Sequence, residues 1–131
     1  MELKDYTKEE LRTELKRRNA EEKAEIPSKI TLGGQEVEIR NVERCDGNAV
    51  GECHLLEGYI EIADIYNKDR KQSESSKVNT FYHELTHCIL QTMGETELNN
   101  NEKFVCCFAG FLTDAMRNSE YKRNSYDERA R

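Results

Sequence analysis

Apolar side chains recur every three or four positions between residues 78 and 92, which is the spacing of one face of an α-helix. Ser75 or Ser76 is suited to cap the start of this helix, and Gly94 is suited to end it in a left-handed conformation. The pattern therefore predicts a half-buried helix of about four to five turns. The residues of its apolar face are Val78, Phe81, Leu85, Cys88, Ile89 and Thr92.

A second helical pattern follows a polar connection at residues 95–101. Its apolar positions again repeat at intervals of three and four, so we expect this helix to pack on the first one. These positions are Phe104, Val105, Phe108, Ala109, Phe111, Leu112, Ala115 and Met116.

Alternating apolar and polar residues between positions 29 and 63 predict strands. Gly33 and Gly34 separate two alternating segments and predict a two-residue hairpin turn. A third strand is expected within residues 50–56, and the clearest strand covers residues 59–63. The chain is thus expected to be an α+β protein with a small antiparallel sheet of three to four strands and one solvent-facing side.

The ends of the chain differ from its centre. Residues 1–26 form a charged N-terminal helical arm, in which Thr7 and Glu10 have the spacing of a capping box. Pro27 marks the expected boundary to a folded domain over residues 27–117, and residues 118–131 form a polar tail that we expect to be partly disordered. Inside the domain, residues 64–77 are predicted to be a polar surface connection.

Composition and charge exclude several classes of function. The 131 residues are 36% hydrophobic and 35% charged, and the net charge of −6 argues against general nucleic-acid binding. No apolar run approaches the length that crosses a membrane, and the N-terminus has no signal-peptide core, so a cytoplasmic location is expected. The five cysteines are therefore predicted to be reduced thiols.

The segment His83-Glu84-Leu85-Thr86-His87 is an H-E-x-x-H motif on the first predicted helix. Residues four apart return to nearly the same helix face, so both imidazoles can bind one metal ion. Glu84 points elsewhere and can take a proton from a zinc-bound water without being a ligand. The motif predicts one Zn²⁺ per chain, held by His83 and His87, with Glu84 as the catalytic base.

A catalytic zinc usually has a third protein ligand. Glu102 is the favoured candidate, because it lies at the border of the apolar face of the second helix and would approach His87 if the two helices were antiparallel. Asn99 and Glu102 also have capping-box spacing, so Glu102 could serve only helix stability. Glu97, Glu95 and His54 are the alternative ligands. A separate site that combines Cys45, Cys53 and His54 fits no familiar zinc-binding spacing.

Residues 50–116 resemble the small gluzincin-like metallopeptidases, which combine H-E-x-x-H with a downstream glutamate. The pattern is most similar to ImmA/IrrE-like domains and to short phage or prophage metallopeptidases. The resemblance implies hydrolysis of a peptide or protein substrate, zinc ligands His83, His87 and Glu102, and catalysis by Glu84. It also implies a sheet edge that can pair with an extended peptide. The segment from Glu102 to Ala109 is only partly similar to the usual second-helix signature.

Three other functions are compatible with this sequence. The zinc could be structural in a non-catalytic regulatory or inhibitor protein, in which case a fourth protein ligand such as His54 is expected. The basic residues between Lys4 and Lys23 could bind DNA, since this arm weakly resembles the first helix of SAP-type modules. Finally, the arm or the tail could cover the cleft of a latent peptidase.

Overall fold

A computed structural model describes residues 7–14 and 25–120 of the chain. These residues form a four-stranded sheet, a short two-stranded hairpin and four helices, which confirms the predicted α+β class. The strands are β1 (Lys29–Leu32), β2 (Gln35–Val42), β3 (Gly51–His54), β4 (Tyr59–Ala63), β5 (Ile65–Tyr66) and β6 (Arg70–Lys71). The helices are α1 (residues 8–14), α2 (Glu74–Met93), α3 (Thr96–Asn99) and α4 (Glu102–Arg117).

The main sheet has the strand order β1-β2-β4-β3. The pairs β1–β2 and β3–β4 are antiparallel as predicted, but β2 and β4 are parallel, so the sheet is mixed rather than antiparallel. The reason is topological: β4 turns back from β3 and enters between β3 and β2, which fixes its direction relative to β2. The clearest predicted strand, residues 59–63, coincides with β4.

The hairpin between β1 and β2 confirms the predicted glycine turn. Leu32 pairs with Gln35, which leaves Gly33 and Gly34 as the two loop residues. Their φ angles are 55° and 83°, in the left-handed region that glycine adopts without a steric penalty. A two-residue turn with both φ angles positive matches the twist of the strands it joins.

Helix α2 is bounded by local signals at both ends. Ser73 caps its start by accepting a hydrogen bond from the Ser76 backbone N–H at 3.1 Å, so the prediction of Ser75 or Ser76 as the cap is wrong. Gly94 ends the helix with φ of 77°, as predicted. With Ser73 as the cap, the helix starts earlier than expected, and Ser75 and Ser76 lie within its first turn.

Helices α2 and α4 pack as an antiparallel pair. Thr113 on α4 donates a hydrogen bond to Asn79 at 3.2 Å, and Arg117 donates one to Ser75 at 2.8 Å. Later residues of α4 thus contact earlier residues of α2. This direction brings the start of α4 beside the second half of α2, where both motif histidines lie.

The core lies between the sheet and α2, with a narrow strip of α4 completing it. Its buried members are Val37, Leu55, Ile60, Ile62, Val78, Phe81, Tyr82, Cys88 and Ala109. The predicted apolar face of α4 is only partly buried, since the exposed fractions of Phe108 and Phe111 are 46% and 76%. Val105, Ala109 and Thr113 occupy the buried strip, four residues apart, and the two phenylalanines project beyond it.

The segment between β4 and α2 is more ordered than the predicted solvated connection. It contains the β5–β6 hairpin, and Gln72 after that hairpin is buried. The Gln72 amide donates hydrogen bonds to the carbonyls of Ala63 and Val50 at 2.7 and 3.1 Å. Its amide oxygen accepts one from Thr80 at 2.5 Å. Gln72 therefore links β4, the entry to β3 and α2.

The predicted capping box on α1 is confirmed. The Glu10 backbone N–H donates to the Thr7 hydroxyl at 3.1 Å, and the Glu10 carboxylate accepts from the Thr7 backbone at 3.5 Å. Contacts with the folded body begin before the expected boundary at Pro27, since Glu25 pairs with Arg117 and Ile26 packs against the core. Most of the tail that was predicted to be partly disordered lies in residues 121–131, outside the described residues. Most of the predicted charged arm lies in residues 1–6 and 15–24, which are also outside them.

Candidate metal centre

Helix α2 places the two motif histidines on one side of its second half. The imidazole rings of His83 and His87 have centroids 5.0 Å apart, and both side chains are half-buried. Because α2 is an unbroken helix through this segment, the four-residue spacing gives the shared direction that the sequence predicts.

Glu102 on α4 approaches both histidines. Its two carboxylate oxygens lie 3.8 Å from Nε2 of His83 and 3.6 Å from Nε2 of His87. Asn101, not Asn99, caps α4 by accepting a hydrogen bond from the Phe104 backbone N–H, so the capping-box alternative for Glu102 is wrong. Glu102 is instead the first residue of α4, and its carboxylate is directed toward α2.

Both separations suit a metal ion that Glu102 shares with each histidine. Zinc bonds to imidazole nitrogen and carboxylate oxygen are about 2.0–2.2 Å long, so two ligands of one tetrahedral zinc lie about 3.4 Å apart. The distances of 3.6 and 3.8 Å from Glu102 to the imidazoles are close to this value and longer than a hydrogen bond. The donor set of two neutral imidazoles and one carboxylate is that of a catalytic zinc site with an open position.

Asn99 adds a contact that the sequence did not indicate. Its side-chain oxygen lies 2.6 Å from Nδ1 of His87, and it sits on α3 in the connection between the two long helices. A hydrogen bond from Nδ1–H to this oxygen leaves the lone pair on Nε2, the nitrogen that faces Glu102. The asparagine-rich connection was the only sequence signal for such a partner.

Glu84 is the most deeply buried carboxylate of the site, with 8% of its surface exposed. Its ligand atom lies within 4.8 Å of those of His83 and His87. Burial raises the pKa of Glu84 to about 7, and the charge of Glu102 adds to the rise while His87 opposes it. Glu84 is therefore poised to exchange a proton near neutral pH.

Strand β3 approaches Glu84 closely because it begins with glycine. A Cβ atom on Gly51 would lie 3.2 Å from Cγ of Glu84 and 2.5 Å from Cγ2 of Thr80. Glycine in general disfavours strands, yet β3 begins with one. The structure shows instead that the missing side chain lets the edge of the sheet lie against the motif helix.

Cys106 is a second neighbour that sequence reasoning did not identify. Its sulfur lies 4.0 Å from Nδ1 of His83, and its ligand atom groups with those of His83 and Glu102 within 4.8 Å. Glu102 and Cys106 are four residues apart on one helix, and this spacing is the sequence feature that could have identified Cys106 as a neighbour of the site.

The other proposed third ligands lie elsewhere. Nε2 of His54 faces Glu61 and Glu52 at 3.0 and 3.4 Å instead of the motif histidines. Glu95 and Glu97 occupy exposed positions at the start of α3. Of the four candidates, Glu102 is the one whose carboxylate meets both imidazoles.

Two cysteines correct the expectation of five reduced thiols. Cys53 on β3 and Cys88 on α2 form a disulfide, while Cys45, Cys106 and Cys107 are free. The sequence did not predict this pairing, because the two cysteines are 35 residues apart in the chain. The link also removes Cys53 from any site with Cys45 and His54.

Comparisons with known proteins assign no family. The chain matches no protein-family model, no curated protein and no solved structure. The resemblance to gluzincin-like peptidases thus stays a prediction that rests on the motif and its surroundings. Among the described helices, none has the length and apolar character needed to cross a membrane.

Proposed function

We propose that the protein is a zinc-dependent hydrolase that cleaves peptide bonds. The observation that carries this proposal is the convergence of Glu102 on Nε2 of both His83 and His87. Two histidines from one helix and a glutamate from another form the ligand set of catalytic zinc sites, which retain an open position for substrate.

Each residue of the site has a separate role in the proposed reaction. A zinc ion, when bound, lowers the pKa of water to about 7 and polarises a carbonyl oxygen. Glu84 accepts the proton of the attacking water and delivers it to the leaving amine, from a buried position beside both histidines. Asn99 holds the His87 ring in the orientation and tautomer that point its free nitrogen toward Glu102.

The position of β3 favours an extended peptide as the substrate. This strand is at the edge of the sheet, and its first residue, Gly51, lies against α2 beside Glu84. A peptide that adds to an edge strand forms main-chain hydrogen bonds along its length. A peptide that pairs with β3 would thus place one of its peptide bonds beside Glu84 and the two histidines.

The test is the Glu84→Gln variant, assayed with a library of quenched fluorescent peptides on the zinc-loaded full-length chain. We expect it to retain one zinc at the motif histidines and to lose turnover by about 10²- to 10⁴-fold, because the amide cannot accept the proton. Glu97→Gln, at an exposed position, is the matched control and should retain wild-type turnover. Unchanged turnover of Glu84→Gln would disprove the assigned role.

A structural zinc is the second candidate function, and Cys106 is the observation that favours it. With its sulfur 4.0 Å from His83, Cys106 could supply a fourth protein ligand and close the site. The chain would then use its zinc for stability and act by binding a protein partner.

Cobalt substitution separates the two functions, because a thiolate ligand adds a sulfur-to-cobalt charge-transfer band. For the hydrolase we expect no such band in the wild type and equal zinc affinity in Cys106→Ser and Cys107→Ser. A band that is lost in Cys106→Ser but retained in Cys107→Ser would establish the closed, structural site.

A further inference from the structure

Three potential metal ligands lie together on the face of the sheet that points away from α2. Successive side chains of a strand point to opposite faces. Cys53 of β3 is bonded to α2, so its neighbours Glu52 and His54 point to the other face. Glu61 shares that face, because it alternates with the buried Ile60 and Ile62 of β4.

The ligand atoms of these side chains are close and poorly satisfied. Nε2 of His54 lies 3.0 Å from Oε1 of Glu61 and 3.4 Å from Oε2 of Glu52. Nε2 of His54 and Oε2 of Glu52 are buried and make no hydrogen bond within the described part of the chain. A buried polar atom without a partner costs about 1–3 kcal/mol, so a ligand that binds both atoms would remove this cost.

The local charges favour a cation at this position. Glu52 and Glu61 are directly opposite each other in the β3–β4 register, an arrangement that is destabilising for like charges. Arg40 pairs in register with Glu61, but its guanidinium binds Glu38 and lies over the ring of Tyr59.

The imidazole itself is held in place by an aromatic neighbour. The rings of His54 and Tyr59 stack with centroids 4.6 Å apart. A fixed imidazole orientation is a property of metal-binding histidines, since the ring must present its lone pair in one direction. His54 is also well covered, with 21% of its side chain exposed.

We propose that Glu52, His54 and Glu61 form a second metal site, which binds a divalent ion of the zinc class. The mixed set of one imidazole and two carboxylates suits zinc better than magnesium, which prefers oxygen ligands and retains its water. The 3.4 Å between His54 and Glu52 agrees with the roughly 3.4 Å between ligands of one tetrahedral zinc, and the 3.0 Å between His54 and Glu61 is somewhat shorter. The sheet separates this site from the one on α2, and the bound ion would hold the edge strand β3 to β4.

Imidazole ¹⁵N spectra of the full-length chain test this site directly, because the protein has three histidines. On titration of metal-free protein with Zn²⁺ at neutral pH, we expect the Nε2 resonance of His54 to shift in addition to those of His83 and His87. Mg²⁺ at the same concentration should leave His54 unchanged. A His54 resonance that is unaffected by excess Zn²⁺ would overturn the proposal.

Variants that replace a glutamate by the neutral glutamine identify the ligands. Glu61→Gln should weaken the zinc response of His54 by at least about tenfold while the responses of His83 and His87 persist. Glu57→Gln removes the same charge at an exposed position between β3 and β4 and should behave as wild type. Equal weakening by both variants would show a general charge effect and contradict the site.

A second measurement does not depend on the His54 signal. His54→Phe retains a ring to stack on Tyr59 but removes the ligand nitrogen. Zinc content by elemental mass spectrometry should fall from about two to about one ion per chain, with His83 and His87 still responding to zinc. An unchanged zinc content would refute the second site, whereas loss of the His83 and His87 response in wild type would refute the site on α2 instead.

Discussion

At the scale of single residues, the candidate metal centre depends on how each side chain is held. His87 contacts Glu102 with one ring nitrogen and Asn99 with the other. The two contacts select one tautomer, because a hydrogen bond from Nδ1–H leaves Nε2 unprotonated. Sequence spacing identified His87 and favoured Glu102, and for Asn99 it suggested only an alternative capping role, since capping and binding to His87 use the same side-chain oxygen.

Replacement of Asn99 by alanine should lower the zinc affinity by about 10- to 100-fold without removing a zinc ligand. The reason is that the His87 ring loses the group that fixes its orientation and its tautomer. Competition with a chromophoric chelator measures the affinity. Asn100→Ala is the matched control at the exposed neighbouring position, and we expect its affinity to equal that of the wild type. Equal affinities of Asn99→Ala and wild type would contradict the positioning role.

At the scale of secondary-structure elements, the site depends on how closely β3 approaches α2. Gln72 secures this approach by binding the backbone of Ala63 in β4, the backbone of Val50 just before β3, and the hydroxyl of Thr80 on α2. Gly51 completes it, since its position leaves no space for a side chain. Periodicity alone predicted a strand and a helix here, but not their separation.

Gly51→Ala should destabilise the fold by about 1–3 kcal/mol, because the new methyl group would overlap Cγ2 of Thr80 at 2.5 Å and approach Glu84. Urea unfolding measures the change. In the Thr80→Ser background the cost should shrink, since serine lacks Cγ2 but keeps the hydroxyl that binds Gln72.

Gly110→Ala provides the contrasting control for this prediction. Gly110 lies inside α4 with open space where an added Cβ would be, so alanine should be neutral or stabilise by up to about 1 kcal/mol. A Gly51→Ala variant as stable as the wild type would show that β3 moves freely relative to α2.

At the scale of the whole molecule, a covalent link joins the two layers of the fold. The Cys53–Cys88 disulfide connects the edge strand to the helix that carries the motif, one residue after His87. Such a link limits the conformations of the unfolded chain and typically contributes about 2–4 kcal/mol. Its presence differs from the expectation of reduced thiols, which followed from the predicted cytoplasmic location; the location itself stays a prediction.

Thiol counting tests the link. Alkylation of the unfolded chain without reductant should modify three cysteines, and prior reduction should raise the count to five. In the folded chain Cys106 and Cys107 should react quickly, while Cys45 should be protected. Cys45 is buried, and burial together with the charge of Glu61 raises its pKa to about 11, which disfavours the reactive thiolate. Modification of all five cysteines before reduction would exclude the disulfide.

The sequence by itself determined the local parts of this protein. The motif helix with its glycine end, the Gly33-Gly34 hairpin, the strand at residues 59–63 and the capping box at Thr7 all follow from short-range patterns. Such features depend on backbone preferences and on side-chain periods of 3.6 or 2, which are readable from neighbouring residues.

Only the tertiary structure decided which distant parts meet. The parallel pairing of β2 with β4, the disulfide and the cluster of Glu52, His54 and Glu61 each join residues whose contact depends on the path of the chain. The exposure of Phe108 and Phe111 also depends on the tertiary structure, because the apolar stripe in the sequence does not show how much of it a partner surface will cover. The contacts of Glu102 and Asn99 with the motif histidines likewise required the antiparallel packing of α4 on α2.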